Sequence, residues 1–329
     1  MRCREINGRP MTDAELDAYL QRIHMERPAW MQGAALSTPQ KPEQTGTEGT
    51  PGAADQAAVN AALWRQVPAA AETRPDYLAR LQWAHVCAVP FENLDIMAGR
   101  PLTLDRAALF DKIVRRHRGG VCSELNTLYN WLLESLGYEA ASYHSRVLST
   151  GVPYPGRSHR LLGVRLGGVT WLTDVGFNYE HMRRPLRLES DTIQNDGTME
   201  YRLQRDEFYG WILWQRIPPR AAAGFPADQP ERRWRLKVAF NEEPNIDADY
   251  RAATYFAAHH PASMINKQTK VSRYVDDRFL AIRRGSCLTE EHSVVRLLEE
   301  NLSAARERQL LREVFDLNPP EAGSGAGEK

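Results

Sequence analysis

The sequence lacks the features by which a chain announces a membrane, a nucleic acid or a metal as its partner. Its 42 Lys and Arg balance 42 Asp and Glu, for a formal net charge of +0. No dense basic tract breaks that balance, which argues against a nucleic-acid partner. No run approaches the ~18 apolar residues of a membrane span, and the opening Met1-Arg2-Cys3-Arg4-Glu5 is charged, without an apolar core of signal-peptide length. Only four cysteines occur, Cys3, Cys87, Cys122 and Cys287, widely spaced and with no Cys-X-X-Cys pair, so neither a disulfide framework nor a zinc knuckle is expected. No His, Cys and Asp cluster has metal-ligand spacing, and no phosphate-cradling glycine loop of the nucleotide type is found. The expectation is a soluble, cytoplasmic protein with reduced thiols and a small-molecule partner, without metal, nucleic acid or membrane.

What is present centres on Arg118-Gly119-Gly120-Val121-Cys122-Ser123-Glu124-Leu125-Asn126. Beyond Cys122, apolar side chains at Leu125, Leu128, Tyr129, Leu132, Leu133 and Leu136 form the stripe of a buried amphipathic helix, which Gly137 ends in the left-handed conformation. Gly119-Gly120 frees the backbone for a sharp turn. Cys122 then falls on the first helical turn, where unpaired N–H groups and the helix dipole favour an anion. Two readings stay open for it, a nucleophilic thiol or a small buried hydrophobe.

Downstream, Ser158 to Leu166 and Val169 to Phe177 are β-rich runs joined by Gly167-Gly168, the pattern of a hairpin with a two-residue turn. With Leu166 opposite Val169, Leu161 opposes Asp174 and His159 opposes Gly176. His159 and Asp174 become diagonal neighbours roughly 7–8 Å apart on one face, with the glycine leaving room for the imidazole. Cysteine, histidine and aspartate together have the composition of a triad in which the carboxylate orients the imidazole and the imidazole deprotonates the thiol. The hairpin register alone does not put Cys122 beside His159.

These residues resemble the arylamine N-acetyltransferase family. Its Arg-Gly-Gly-X-Cys-X-Glu-Leu-Asn signature matches residues 118–126, a Val-Pro-Phe-Glu-Asn segment matches Val89 to Asn93, and an Asp-Val-Gly-Phe segment matches Asp174 to Phe177. The resemblance implies an α+β fold: an N-terminal helical bundle, a central antiparallel β-barrel and a C-terminal α/β lid around a cysteine-protease-like core. It further implies that Cys122, His159 and Asp174 are catalytic, that Phe91, Val121 and Phe177 contact substrate, and that Glu92 and Arg118 form a structural ion pair. Acetyl-CoA is the implied co-substrate. Transfer would follow a ping-pong course through acetyl-Cys122 to an aromatic amine, hydrazine or arylhydroxylamine. Two positions depart from the pattern, Val121 in place of a frequent aromatic and Arg160 in place of an apolar residue. Arg160 would add a cation suited to a donor with a second carboxylate, such as malonyl-CoA, unless the pleat turns it to the opposite face. Amide synthesis, thiol hydrolysis and an idle CoA-binding scaffold are the other readings.

In chain order, 329 residues exceed one core, and three units are expected: a helical domain over 1–136, a barrel over 137–240 and a lid over 241–329. Thr12 caps a helix over about 13–25. A composition shift marks 33–57 as a disordered insert, with a short helix near 57–66. A second helix spans 76–86 and carries His85 in a structural role. Strands are expected near 141–148, 184–189, 198–205, 209–216 and 233–240. His144 and His181 compete with His159 as general base, His144 having no carboxylate placed for it. The lid should hold a helix over 247–259 capped near Asn245, strands over 270–275 and 278–284, and a charged helix over 290–315, before a disordered tail from 318.

Overall fold

The structure, a computed structural model, describes residues 8–31, 72–150, 152, 155–217, 234–275, 277–291 and 294–320. The insert at 33–57, the helix expected near 57–66 and residues 321–329 of the tail lie outside these. Helix α1 (Asp13–Arg22) starts where Thr12 Oγ1 accepts from Glu15 N–H and Glu15 Oε2 accepts from Thr12 N–H. It stops short of residue 25 because His24 adopts φ +56° and Met25 N–H turns back to Leu20 C=O. Thr73 and Asp76 cap α2 (Arg74–Ala88) in the same reciprocal way. A two-residue strand, β1 (Phe91–Glu92), follows, and α3 (Arg106–Phe110) then runs into a π turn over Asp111–Arg115.

Helix α4 (Cys122–Ser135) is the centre of the molecule. Its stripe of Leu125, Leu128, Tyr129, Leu132 and Leu133 packs with Tyr19 and Leu20 of α1 and Tyr77, Leu78 and Leu81 of α2. Each such leucine, fully withdrawn from water, contributes about 1.5–3 kcal/mol. The opposite face is buried as well, from Ser123 to Glu134, so its polar side chains must find partners inside the protein. Gly137 at φ +82° ends the helix as expected.

An eight-stranded antiparallel sheet follows, made of β2 (Glu139–Val147), β3 (Arg157–Leu166), β4 (Val169–Thr173), β5 (Leu186–Arg187), β6 (Ile193–Asn195), β7 (Glu200–Asp206), β8 (Gly210–Arg216) and β9 (Trp234–Phe240). The spatial order is β5-β4-β3-β2-β9-β8-β7-β6. The Gln194 amide, which donates to Arg187 C=O and accepts from Arg187 N–H, brings the two edges together and nearly closes a barrel. Gly167 and Gly168 take φ +57° and +80°, and the register is Leu166 opposite Val169. Pairing stops at Leu162 and Thr173, so Asp174 has already left the strand.

After a 3₁₀ turn over Asp247–Tyr250 comes α5 (Arg251–His259). The cap is Asp249, whose Oδ2 accepts from Ile246 N–H; the Asn245 amide donates to Glu243 C=O instead. The second sheet has the order β1, β10 (Lys270–Val275), β11 (Arg278–Arg283), β12 (Ser286–Glu291) and β13 (Val294–Glu299), all antiparallel. The charged helix expected over 290–315 is therefore corrected. Arg284 and Gly285, at φ +54° and +66°, form a two-residue hairpin turn that sends the chain into β12. Only after Ser303 caps it does α6 (Ala304–Glu313) form, with Leu310 and Leu311 packed on Val271, Leu280 and Ile282. No helix among the described residues is long and apolar enough to cross a membrane.

His85 lies wholly inside this core, edge-on to the rings of Tyr19 and Tyr129 at 5.9 and 5.4 Å. Neither ring nitrogen has a hydrogen-bond partner among the described residues. Burial, aided by Arg22, lowers its pKa from 6.5 to about 3. As pH falls through 6.5 the unfolded chain takes up a proton that the folded chain refuses, so stability drops by about 1.4 kcal/mol per pH unit until the folded value is reached. Replacing His85 by Phe should remove one proton's worth of that acid slope in urea unfolding followed against pH. An unchanged slope would mean that His85 is not what the slope reports.

Candidate active site

The approach to Cys122 is built from close backbone contacts. Neither Gly119 nor Gly120 has a positive φ, so the sharp-turn rationale for them is corrected: they are small because neighbours are near. A Cβ on Gly119 would lie 2.1 Å from Pro90 O, and one on Gly120 would lie 2.8 Å from Glu124 Oε2. Glu92 N–H donates to Gly120 C=O, tying β1 to the segment before the helix. Around this seam, Arg118 pairs with Glu92 at 2.7 Å and Asp95 at 3.0 Å, and Lys112 pairs with Asp95 at 2.8 Å and Glu124 at 2.9 Å. Burial opposes the charge on Lys112, but Glu124, Glu92 and Asp95 hold its pKa above the usual range. Glu124 is raised by its own burial, Lys112 offsetting only part of it. The second Glu124 oxygen accepts from Val121 N–H. That fixes the residue from which the helix departs.

Cys122 is the first residue of α4 and is half-buried, with its thiol donating to Ser158 C=O at 3.7 Å. The next residue on β3 is His159, buried, with Nε2 2.7 Å from Asp174 Oδ2. Nδ1 is thus the nitrogen left for the thiol, with which His159 also interacts. Burial would strip the proton from His159, yet the charge and hydrogen bond of Asp174, with Cys122, raise its pKa to about 10. Asp174 moves the other way: burial favours its neutral form, and His159 and then His181 outweigh that and hold it well below the carboxylate range. The structure therefore brings Cys122, His159 and Asp174 together, which the hairpin register alone could not do.

Two residues that the sequence reading left without roles complete the setting. Asn126, one helical turn beyond Cys122, donates from Nδ2 to Asp174 Oδ1 and to Arg160 C=O, both at 2.8 Å, and accepts from Val175 N–H at 3.1 Å. Its i+4 offset from Cys122 was the available signal. Gln82 of α2 accepts from Thr173 Oγ1 at 2.6 Å and donates to Met182 C=O at 2.8 Å; nothing in its local pattern marks it. Gly176 N–H donates to Asp174 Oδ1. The small size of Gly176 serves α4 rather than the imidazole: an added Cβ would meet Cys122 Cα at 2.7 Å and Asn126 Nδ2 at 2.8 Å.

Phe91 and Phe177 line one small cavity of about 20 Å³ with Asp174, His181, Tyr274 and Phe279. Val121 is buried in the helical core instead and does not line that cavity. Arg160, fully buried, donates to Ser142 Oγ and Thr127 Oγ1, pairs with Asp247 at 2.8 Å and covers the Tyr250 ring. It points away from Cys122, which removes the reason for expecting a second donor carboxylate. His144 lies against Tyr250 at 4.9 Å. His181 lies beside Asp174, with Nε2 3.4 Å from Oδ2.

A family model described as N-acetyltransferase matches residues 76–322, from α2 through α6. The chain belongs to the arylamine N-acetyltransferase family. Among its relatives, the arylamine N-acetyltransferase / N-hydroxyarylamine O-acetyltransferase of Salmonella typhimurium is 34% identical over 201 residues, 61% of this chain and 66% of that one. The Escherichia coli arylamine N-acetyltransferase is 32% identical over 209 residues, 63% of this chain and 69% of that one. The aligned stretch thus spans about two thirds of these arylamine N-acetyltransferases. In three dimensions the match is longer: the Salmonella typhimurium arylamine N-acetyltransferase superposes with a TM-score of 0.71 at 25% identity, over 96% of each chain. The Mycobacterium marinum arylamine N-acetyltransferase in complex with CoA gives 0.67 at 29% identity, over 76% of this chain and 89% of that one. The architecture is the α+β, cysteine-protease-like fold of arylamine N-acetyltransferases.

Because Gly176 lets the hairpin touch the backbone of Cys122 itself, Gly176→Ala should displace the thiol from His159. Alkylation of Cys122 by iodoacetamide at pH 7 should slow by about tenfold or more, since displacements near 1 Å carry effects of that order. Wild-type alkylation kinetics in a folded Gly176→Ala protein would show that the close approach does not control the thiol.

Proposed function

We propose that this protein moves an acetyl group from acetyl-CoA to aromatic amines, hydrazines or arylhydroxylamines through an acetyl-Cys122 intermediate. The observation that carries the reading is His159, buried between the Cys122 thiol at a helix start and the Asp174 carboxylate. With the proton of the Cys122 and His159 pair held on the imidazole, the sulfur attacks the thioester carbonyl. The bond from carbon to Cys122 sulfur forms, the bond to CoA sulfur breaks, and the imidazolium returns its proton to the departing thiolate. In the second half the amine nitrogen attacks acetyl-Cys122, His159 takes the nitrogen's proton, and the cysteine sulfur leaves. Backbone N–H groups of the first turn of α4 are the candidate donors to the oxyanion, a role commonly worth about 3–4 kcal/mol.

Asp174 stays ionised and holds the imidazole; Asn126 and Gly176 in turn hold Asp174. Phe91 and Phe177 are the proposed walls for the acyl group and the acceptor ring. Arg118 and Glu92 act structurally, keeping β1 against the approach to the helix. A thiol nucleophile of this kind suits the reducing cytoplasm.

The test is intact mass after mixing with acetyl-CoA alone and again after adding an aromatic amine. One acetyl group should appear on Cys122 and then leave as the N-acetyl amine. Cys122→Ser should lower turnover by about 10⁴ or more while the fold persists. Rapid CoA release without an adduct would replace the proposal by a hydrolase, and neither adduct nor release by an idle scaffold or another acyl donor.

A further inference from the structure

The mechanism above leaves one buried titratable group at the site unused. His181 is 5% exposed, and its Nε2 stands 3.4 Å from Asp174 Oδ2, the oxygen that also holds His159. This approach is an electrostatic contact rather than an aligned hydrogen bond, and neither ring nitrogen has a hydrogen-bond partner among the described residues. The ring is fixed nonetheless. It stacks on Phe177 at 4.3 Å and 22°, and Phe177 stands edge-on to His159 at 5.2 Å. The main chain of His181 is held by Tyr274 Oη, which accepts from its N–H and donates to its C=O. Two imidazoles thus converge on one carboxylate oxygen.

We propose that His181 is a positioning residue, a neutral second partner for Asp174 Oδ2 that holds the carboxylate in place and limits the charge it lends to His159. The inference rests on the reading of Cys122, His159 and Asp174 as a proton relay. Were His181 charged, it would compete with the His159 imidazolium for the same oxygen. Its surroundings prevent this. Facing it are Asp174 and His159 from the hairpin, Lys237 from β9 and the Tyr274 hydroxyl from β10, with Glu180 and Arg183 on its own segment. Burial lowers the pKa of His181, Asp174 opposes that, and the charges of Lys237 and His159 add to the lowering. Lys237 is itself pinned, with Nζ donating to Glu180 C=O at 3.0 Å and lying 5.0 Å from the Phe177 ring centre.

The effect is readable without any acyl donor, by following the Cε1 resonances of ¹³C-labelled histidines against pH. In the unaltered protein His181 should remain neutral through the range in which an ordinary histidine titrates, while His159 keeps its proton well above it. His181→Phe retains a ring to stack on Phe177 but removes the contact with Asp174. The titration midpoint of His159 should then rise by about half a pH unit or more, because the carboxylate is no longer shared. His181→Gln, with an amide donor, should restore the original midpoint. A merely structural role would lower the melting temperature of both variants and leave the midpoint where it was. An unmoved His159 midpoint in His181→Phe overturns the inference, as does a His181 that titrates at the ordinary histidine midpoint in the unaltered protein; the second reading needs no variant to fold. Failure of acetyl transfer leaves this titration intact, so the two proposals fail separately.

Discussion

A carboxylate buried as completely as Asp174 persists in its charged form only if the protein replaces the water it has lost. Asn126, Gly176 N–H and His159 do so, with His181 close by. These groups come from α4, from β3 and from the segment after β4, and the requirement fixes how those parts meet. Asn126 commits α4 to lie against the hairpin. The Gly176 amide commits the segment after β4 to turn back on itself. His159 places β3 so that its imidazole lies between carboxylate and thiol. The site's geometry is in this sense the solution to a solvation problem.

The same reasoning extends along α4. A helix withdrawn from water on every side carries two kinds of obligation. Its leucines are satisfied by any well-packed apolar neighbour, whereas Glu124, Asn126, Thr127, Asn130 and Glu134 need partners of defined direction. Those partners are Lys112, Asp174, Arg160 and Arg106. Asn130 reaches Glu134 within the helix. The apolar side supplies most of the stability, and the polar side supplies the register that sets Cys122 against His159. Replacing buried polar partners is more disruptive than trimming a leucine because an unpaired buried group has no equivalent of a collapsing cavity.

Much of this could be read from the residues. The helix at Cys122 followed from apolar spacing, and the Gly167-Gly168 turn gave the pairing of β3 and β4. The strands expected over 270–275 and 278–284 form as Lys270–Val275 and Arg278–Arg283. The helix start marks Cys122 and the hairpin brings His159 and Asp174 near each other, but Asp174 lies just past the paired strand and only the fold sets Cys122 beside His159. What was not legible depends on contacts distant in sequence. The smallness of Gly119 and Gly176 answers to Pro90 and Cys122, which no local pattern reveals. Gln82 reaches Asp174's neighbour from a helix that otherwise looks ordinary. The last residues of β12 and all of β13 fall in the stretch 290–315 that reads as a charged helix. The decisive signal, a positive φ at Arg284 followed by Gly285, sits in a residue type that seldom adopts it.

The pairing of β1 with β10 joins Phe91 and Glu92 to Ser272 and Val271. Of the five strands in that sheet, one is made early and four are made late. During synthesis the first strand must wait, one edge unpaired, until nearly the whole chain has left the ribosome. Such long-range pairing is slow to form and exposed to mispairing while it waits. The Glu92, Arg118 and Asp95 cluster, whose members are all close in sequence, can assemble long before and hold that strand in position. A nascent chain arrested before residue 270 would carry Cys122, His159 and Asp174 but not the strand against which Phe91 is seated.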